Sequence, residues 1–159
     1  MHFGERLAVL ALLFKTYIME ILKQLLHSDL GSSFNNFAFL FFRILLAFQL
    51  FRVHGLGKFR LKNGQKEKVP NPLHLPEKLN GFVATFADII VPFLIILGFG
   101  TRLFVLPTIG VTAIGYFVVH RKDSLEVRDV PYMYTLSLLL ILALGAGKYS
   151  LDYYLLNLI

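Results

Sequence analysis

Apolar residues gather into four long runs, each separated from the next by a stretch carrying polar or charged residues. The first confident run covers about Phe34 to Val53, twenty residues, which is enough helix to cross a hydrocarbon core of about 30 Å. His54-Gly-Leu-Gly-Lys58 is expected to break it. The second run covers roughly Gly81 to Gly98, the third about Leu103 to His120, and the fourth opens at Pro131 and continues to about Ala146. Gly98-Phe-Gly-Thr-Arg102 is too short to be anything but a turn, so the third helix must return antiparallel to the second. The last stretch, Tyr149-Ser-Leu-Asp-Tyr-Tyr154, predicts a short interfacial helix with Ser150 as its N-cap and tyrosines at headgroup depth.

Ahead of these runs the pattern changes. Leu7 to Phe14 is unbroken apolar sequence, but no small-residue cleavage pattern follows it, so removal as a signal peptide is not expected. Beyond Lys15, polar residues fall at Thr16, Glu20, Lys23, Gln24 and His27. Steps of three and four make one polar face of a helix. Such a helix can lie in the interface or cross the membrane; crossing would bury Lys15 near mid-bilayer without a partner, so the interfacial placement is the expectation. The organisation read from the pattern is an all-α membrane protein: residues 1–33 form an amphipathic N-terminal helix and link, and residues 34–159 an antiparallel four-transmembrane-helix bundle.

Composition agrees. Of 159 residues, 56% are hydrophobic and only 16% charged, 16 are Phe, and the mean hydropathy is +0.64; an average soluble domain carries about 25% charged residues. The formal charge of +6 does not point to nucleic acid, because the basic residues sit in loops between apolar runs. The loops on one side hold nine Lys/Arg between Lys58 and Arg128. The positive-inside rule therefore predicts that loops 54–80 and 120–130 are cytoplasmic. Absence of cysteine excludes disulfides, thiolate-held iron–sulfur clusters and covalently attached c-type haem.

Two charges stand deep inside apolar runs, well away from their ends. Arg43 lies in the first and Asp88 in the second. A charge in hydrocarbon costs roughly 2.5–3.5 kcal/mol on insertion scales, so each needs a partner, and an Arg43–Asp88 ion pair is the simplest expectation. It would serve either to fix helix register or to organise a binding or proton-handling site. His54 lies eleven residues after Arg43, on the same helix face. His54, Lys58 and His120 all fall at one mouth of the bundle, where they can act as interfacial residues or hold an anionic or quinone-type headgroup. The rim position of the two histidines argues against bis-His haem ligation. No glycine-rich phosphate loop, metal-spaced His pair or Ser/His/Asp nucleophile pattern is present, so no catalytic residue and no metal site is assigned.

Taken together, these motifs resemble the DoxX family of small membrane proteins. The resemblance rests on a His54-Gly-x-x-Lys58 closure of the first span, Ala-Asp88 in the second, and the Gly-x-x-Thr101-Arg102 turn. After the fourth span comes Gly-Ala-Gly-Lys-Tyr149-Ser150-Leu-Asp152. The family's usual acid is Glu with a nearby Gly; this chain has Asp88 with Val91-Pro92. What the resemblance implies is an integral four-helix bundle in the lipid bilayer, associated with a membrane redox partner, acting as an accessory subunit of a quinone-linked oxidoreductase. Quinone is then the implied cofactor. The other reading is a non-catalytic bundle that binds or moves a small hydrophobic or anionic solute, or a structural partner of another membrane protein.

Overall fold

The computed structural model describes residues 3–59 and 69–158, with side chains from residue 9 and excluding residue 59. The charged first half of the long loop, with Arg60, Lys62, the Asn63-Gly64 turn, Lys66 and Lys68, lies outside the described residues. Among those described, all regular structure is helical. Helix α1 covers Phe3–Leu26. Four helices then have the length and composition to cross a membrane: α2 (Ser33–Lys58), α3 (Glu77–Leu97), α4 (Thr101–Val119) and α5 (Leu125–Leu144). A last short helix, α6, covers Leu151–Leu156.

Local chemistry sets the ends. Ser32 starts α2 by accepting the Asn35 N–H at 3.0 Å, and Ser150 starts α6 by accepting that of Tyr153 at 3.2 Å, each satisfying an otherwise orphan donor. Helix α3 stops at Gly98, whose φ of +66° suits a residue without Cβ. There the Phe99 N–H bonds the Leu94 carbonyl and the Gly98 N–H that of Ile95, the paired closure of a Schellman turn.

Up to Leu50 the buried positions on α2 are Asn36, Phe39, Arg43, Ala47 and Leu50. Their spacing of three and four residues defines one inward face. The apolar core joins Phe39 and Ala47 to Val91, Ile95, Val105, Leu138 and Ile141, so all four spans contribute. Most other large apolar side chains on the spans stay exposed, Phe41, Phe82, Leu103 and Leu139 among them. That is the arrangement of helices whose outer solvent is lipid.

His54-Gly-Leu-Gly-Lys58 does not end α2, contrary to the expectation. The helix absorbs it by widening into a π turn over Phe51–Gly55, where the Leu56 N–H reaches back five residues to the Phe51 carbonyl. Gly55 explains why. A Cβ there would lie 2.7 Å from the Asp88 carbonyl oxygen, so the glycine is the point at which α2 and α3 approach backbone to backbone. Two further π turns follow, at Phe86–Ile90 in α3 and at Gly115–Val119 closing α4. In α3 the turn precedes Pro92, which has no N–H to return to the Asp88 carbonyl.

Candidate functional site: a cavity framed by three widened helix turns

The π turns place four polar groups around one space. The first carries His54 and is followed within a turn by Lys58; the second carries Asp88; the third is followed immediately by His120. Between them lies a cavity of about 560 Å³, lined by residues of all four spans and by the segment around Pro70 and Leu73. Its walls are mostly apolar, with Leu50, Val83, Val111 and Val130 among them. A pocket of this size and polarity suits a small ligand with an apolar body, and widened turns of this kind concentrate at functional sites.

Lys58 Nζ stands 3.3 Å from Asp88 Oδ2, with both side chains largely out of solvent at 15% and 13% exposure. His120 Nδ1 stands 2.7 Å from Asp123 Oδ2 at the more open rim. The ring of His54 meets that of Tyr134 edge-on, centroids 5.7 Å apart at 74°. The cavity threonines are committed internally: Thr108 donates to the Ala87 carbonyl at 3.2 Å, and Thr135 Oγ1 lies 2.9 Å from that of Thr112. No group of three or more potential metal ligands occurs among the described residues.

The expected Arg43–Asp88 ion pair is therefore corrected. Among the described residues Asp88 pairs with Lys58, while the buried Arg43 guanidinium is held by main-chain oxygens. It donates to the carbonyls of Ala146, Ile96 and Tyr149, the last two at 3.2 and 3.0 Å. The cause is axial register. Gly55, not Arg43, lies level with Asp88, and the twelve-residue step from Arg43 to Gly55 along α2 is about 18 Å of helix.

Around Arg43, at the end opposite the cavity mouth, the turn and cap residues converge. Asp152 accepts the N–H groups of Gly100 and Thr101 at 2.6 and 2.9 Å, while its own N–H donates to the Gly98 carbonyl at 2.9 Å. Arg102 closes two helix ends at once, donating to the carbonyls of Gln24, Leu25 and His27 at the end of α1 and to those of Leu142 and Ala143 in α5. Orphan carbonyls at a helix C-terminus are natural partners for a guanidinium. Ser150 Oγ and Ser28 Oγ both donate to the Gly147 carbonyl, and the Tyr149 carbonyl is one of Arg43's acceptors. Asn36 adds the last stitch: its Oδ1 accepts the Lys148 N–H at 2.7 Å and its Nδ2 donates to Asp29 at 2.9 Å. Those bonds from Asn36 and then from the Gly31 N–H hold the Asp29 carboxyl below its ordinary value of 3.8. Thr101, Arg102, Tyr149, Ser150 and Asp152 are thus brought together with Arg43, and apart from His54, Lys58, His120 and Asp88.

Two residues of consequence carried no signal in the sequence. Tyr134 is an aromatic in an apolar run, indistinguishable there from an interfacial tyrosine. Asn36 sits in the first turn of α2, where a polar residue reads as ordinary helix-start chemistry.

Four apolar spans built round an internal polar seam define an integral membrane protein. The chain belongs to the DoxX family, whose sequence model matches residues 38–121. That segment contains Arg43, His54, Lys58, Asp88, Thr101, Arg102 and His120, and ends before the Tyr149–Asp152 cap. The chain is similar to an uncharacterized protein of Haemophilus influenzae, 33% identical over 124 residues, covering 71% of this chain and 80% of the relative. No solved structure matches it.

Proposed function

We propose that this DoxX protein is an accessory subunit of a membrane-bound oxidoreductase, receiving the ring of a quinone or a similar amphiphile in the cavity beside Lys58 and Asp88. The observation that carries the reading is the cavity itself: apolar walls, polar groups gathered at one level, and three widened helix turns around it. An apolar tail would lie against the walls while the polar head meets His54, Lys58 or His120. In this reading the four spans insert antiparallel in up-down order and α1 lies in the interface. The cavity mouth faces the cytoplasm of a bacterial inner membrane, following the nine basic residues of the two loops on that side.

The test is purification in mild detergent, solvent extraction, and mass spectrometry of both the extract and the co-purifying proteins. The reading expects a quinone near one per chain together with a redox subunit. Neither being found would overturn it. A non-quinone amphiphile without a redox partner would establish the other reading, a binding bundle for small hydrophobic solutes, which the apolar walls also accommodate.

A further inference from the structure

The polar side chains that line the cavity differ in how they are committed. Lys58 faces Asp88, His120 faces Asp123, Asn80 donates to the Pro70 carbonyl, and Thr108 and Thr112 bond main-chain oxygens. Each donor among them has a protein acceptor. His54 and Tyr134 are different: both line the cavity, their rings touch edge to face, and neither has a hydrogen-bond partner among the described residues. Imidazole and phenol each offer a neutral N–H or O–H donor. Two such donors side by side at an apolar cavity match one uncharged oxygen with two lone pairs.

We infer that the His54–Tyr134 pair is the recognition element of this cavity, and that it selects an uncharged oxygen acceptor, a carbonyl or hydroxyl head on an apolar body, over a charged head. The inference rests on the reading of the cavity as a ligand site and deepens it. A charged head would have to leave water for a chamber whose own basic groups, Lys58 and His120, already face carboxylates, and an unpaired charge in such a place is strongly disfavoured. A neutral oxygen meets no such penalty and leaves the Lys58–Asp88 contact in place.

The experiment uses the full chain in lipid nanodiscs and three probes of equal chain length: a decyl-substituted benzoquinone, decyl phosphate and decyltrimethylammonium. Binding is measured by titration calorimetry for wild type, Tyr134→Phe, His54→Phe and the double variant, with thermal melting followed in parallel. Both substitutions keep an aromatic ring and remove its polar atoms. Wild type is expected to prefer the neutral probe, and each single variant to weaken it about 3- to 10-fold, the worth of one neutral hydrogen bond. The double variant should lose less than the product of the two, because both donors address one oxygen.

Variants that bind the neutral probe as wild type does, or a wild type that prefers either charged probe, would overturn the inference while leaving the cavity a ligand site. Failure of wild type to bind any of the three would overturn both. Should a variant not fold, the charge preference of wild type still decides.

Discussion

Arg43 and Lys58 are cations on the same helix, fifteen residues apart, about 22 Å along its axis. Arg43 is fully buried and surrounded by carbonyls from the ends of α3 and α5, with Asp152 binding the adjoining turn. Among the described residues Lys58 meets one carboxylate, at the edge of a 560 Å³ space. One end of the molecule uses its polar groups to close helix ends and turns against each other. The other keeps polar groups beside an open volume. The lesson is that a charge in an apolar run does not by itself mark a site: what matters is whether its partners are backbone dipoles in a packed seam or side chains facing a void.

The sharpest way to break this comparison is Arg43→Leu. It strands three carbonyls, two of them part-buried, at about 1–3 kcal/mol for each group left unsatisfied, so the variant should melt far below wild type in detergent or fail to accumulate. A variant as stable as wild type would mean that the seam is not what holds this end together. Next comes Asp152→Asn, which can accept only one of the two turn N–H groups well and should cost about 1–3 kcal/mol in the same melting assay. Gly98→Ala belongs in this range too. It strains a φ of +66° and puts a Cβ 2.5 Å from that of Ser150, at a cost of about 1–3 kcal/mol.

At the cavity end the effects should be smaller and pairwise. A double-mutant cycle of Lys58→Met with Asp88→Asn should show a coupling of about 0.5–1 kcal/mol, whereas Arg43→Leu with Asp88→Asn should be additive within about 0.5 kcal/mol. Coupling in the second cycle and none in the first would reverse the assignment of partners. The smallest effect concerns pH at the sealed end. Because folding holds the Asp29 carboxyl below its ordinary value of 3.8, its contribution is complete above that value and fades as the pH falls below it. The stability difference between wild type and Asp29→Ala should therefore shrink on acidification through this range, and a difference that grew would contradict the Asn36–Asp29 contact.

Much of this architecture is legible in the residues. Hydropathy marks the four spans, because a helix in lipid must be apolar over its whole length wherever it stands. Ser150 as an N-cap and the tight turn at Gly98–Gly100 are equally local: a hydroxyl three residues before an N–H, and glycines where φ turns positive. His54, Lys58 and His120 were expected at one mouth, and the structure does bring them to one cavity.

The pairing of charges was not legible. Helix lengths counted from apparent boundaries placed Arg43 opposite Asp88, but α2 continues through Gly55 and Gly57, and three π turns shift the register of the later residues. The sequence by itself determined which segments enter the membrane and where some of their caps and turns fall, since those follow from solvent and from chemistry within a turn. Only the tertiary structure decided which charge meets which partner, and where a cavity is left. Both depend on the close approach of Gly55 to the Asp88 backbone, a contact between residues thirty-three positions apart that no local pattern encodes.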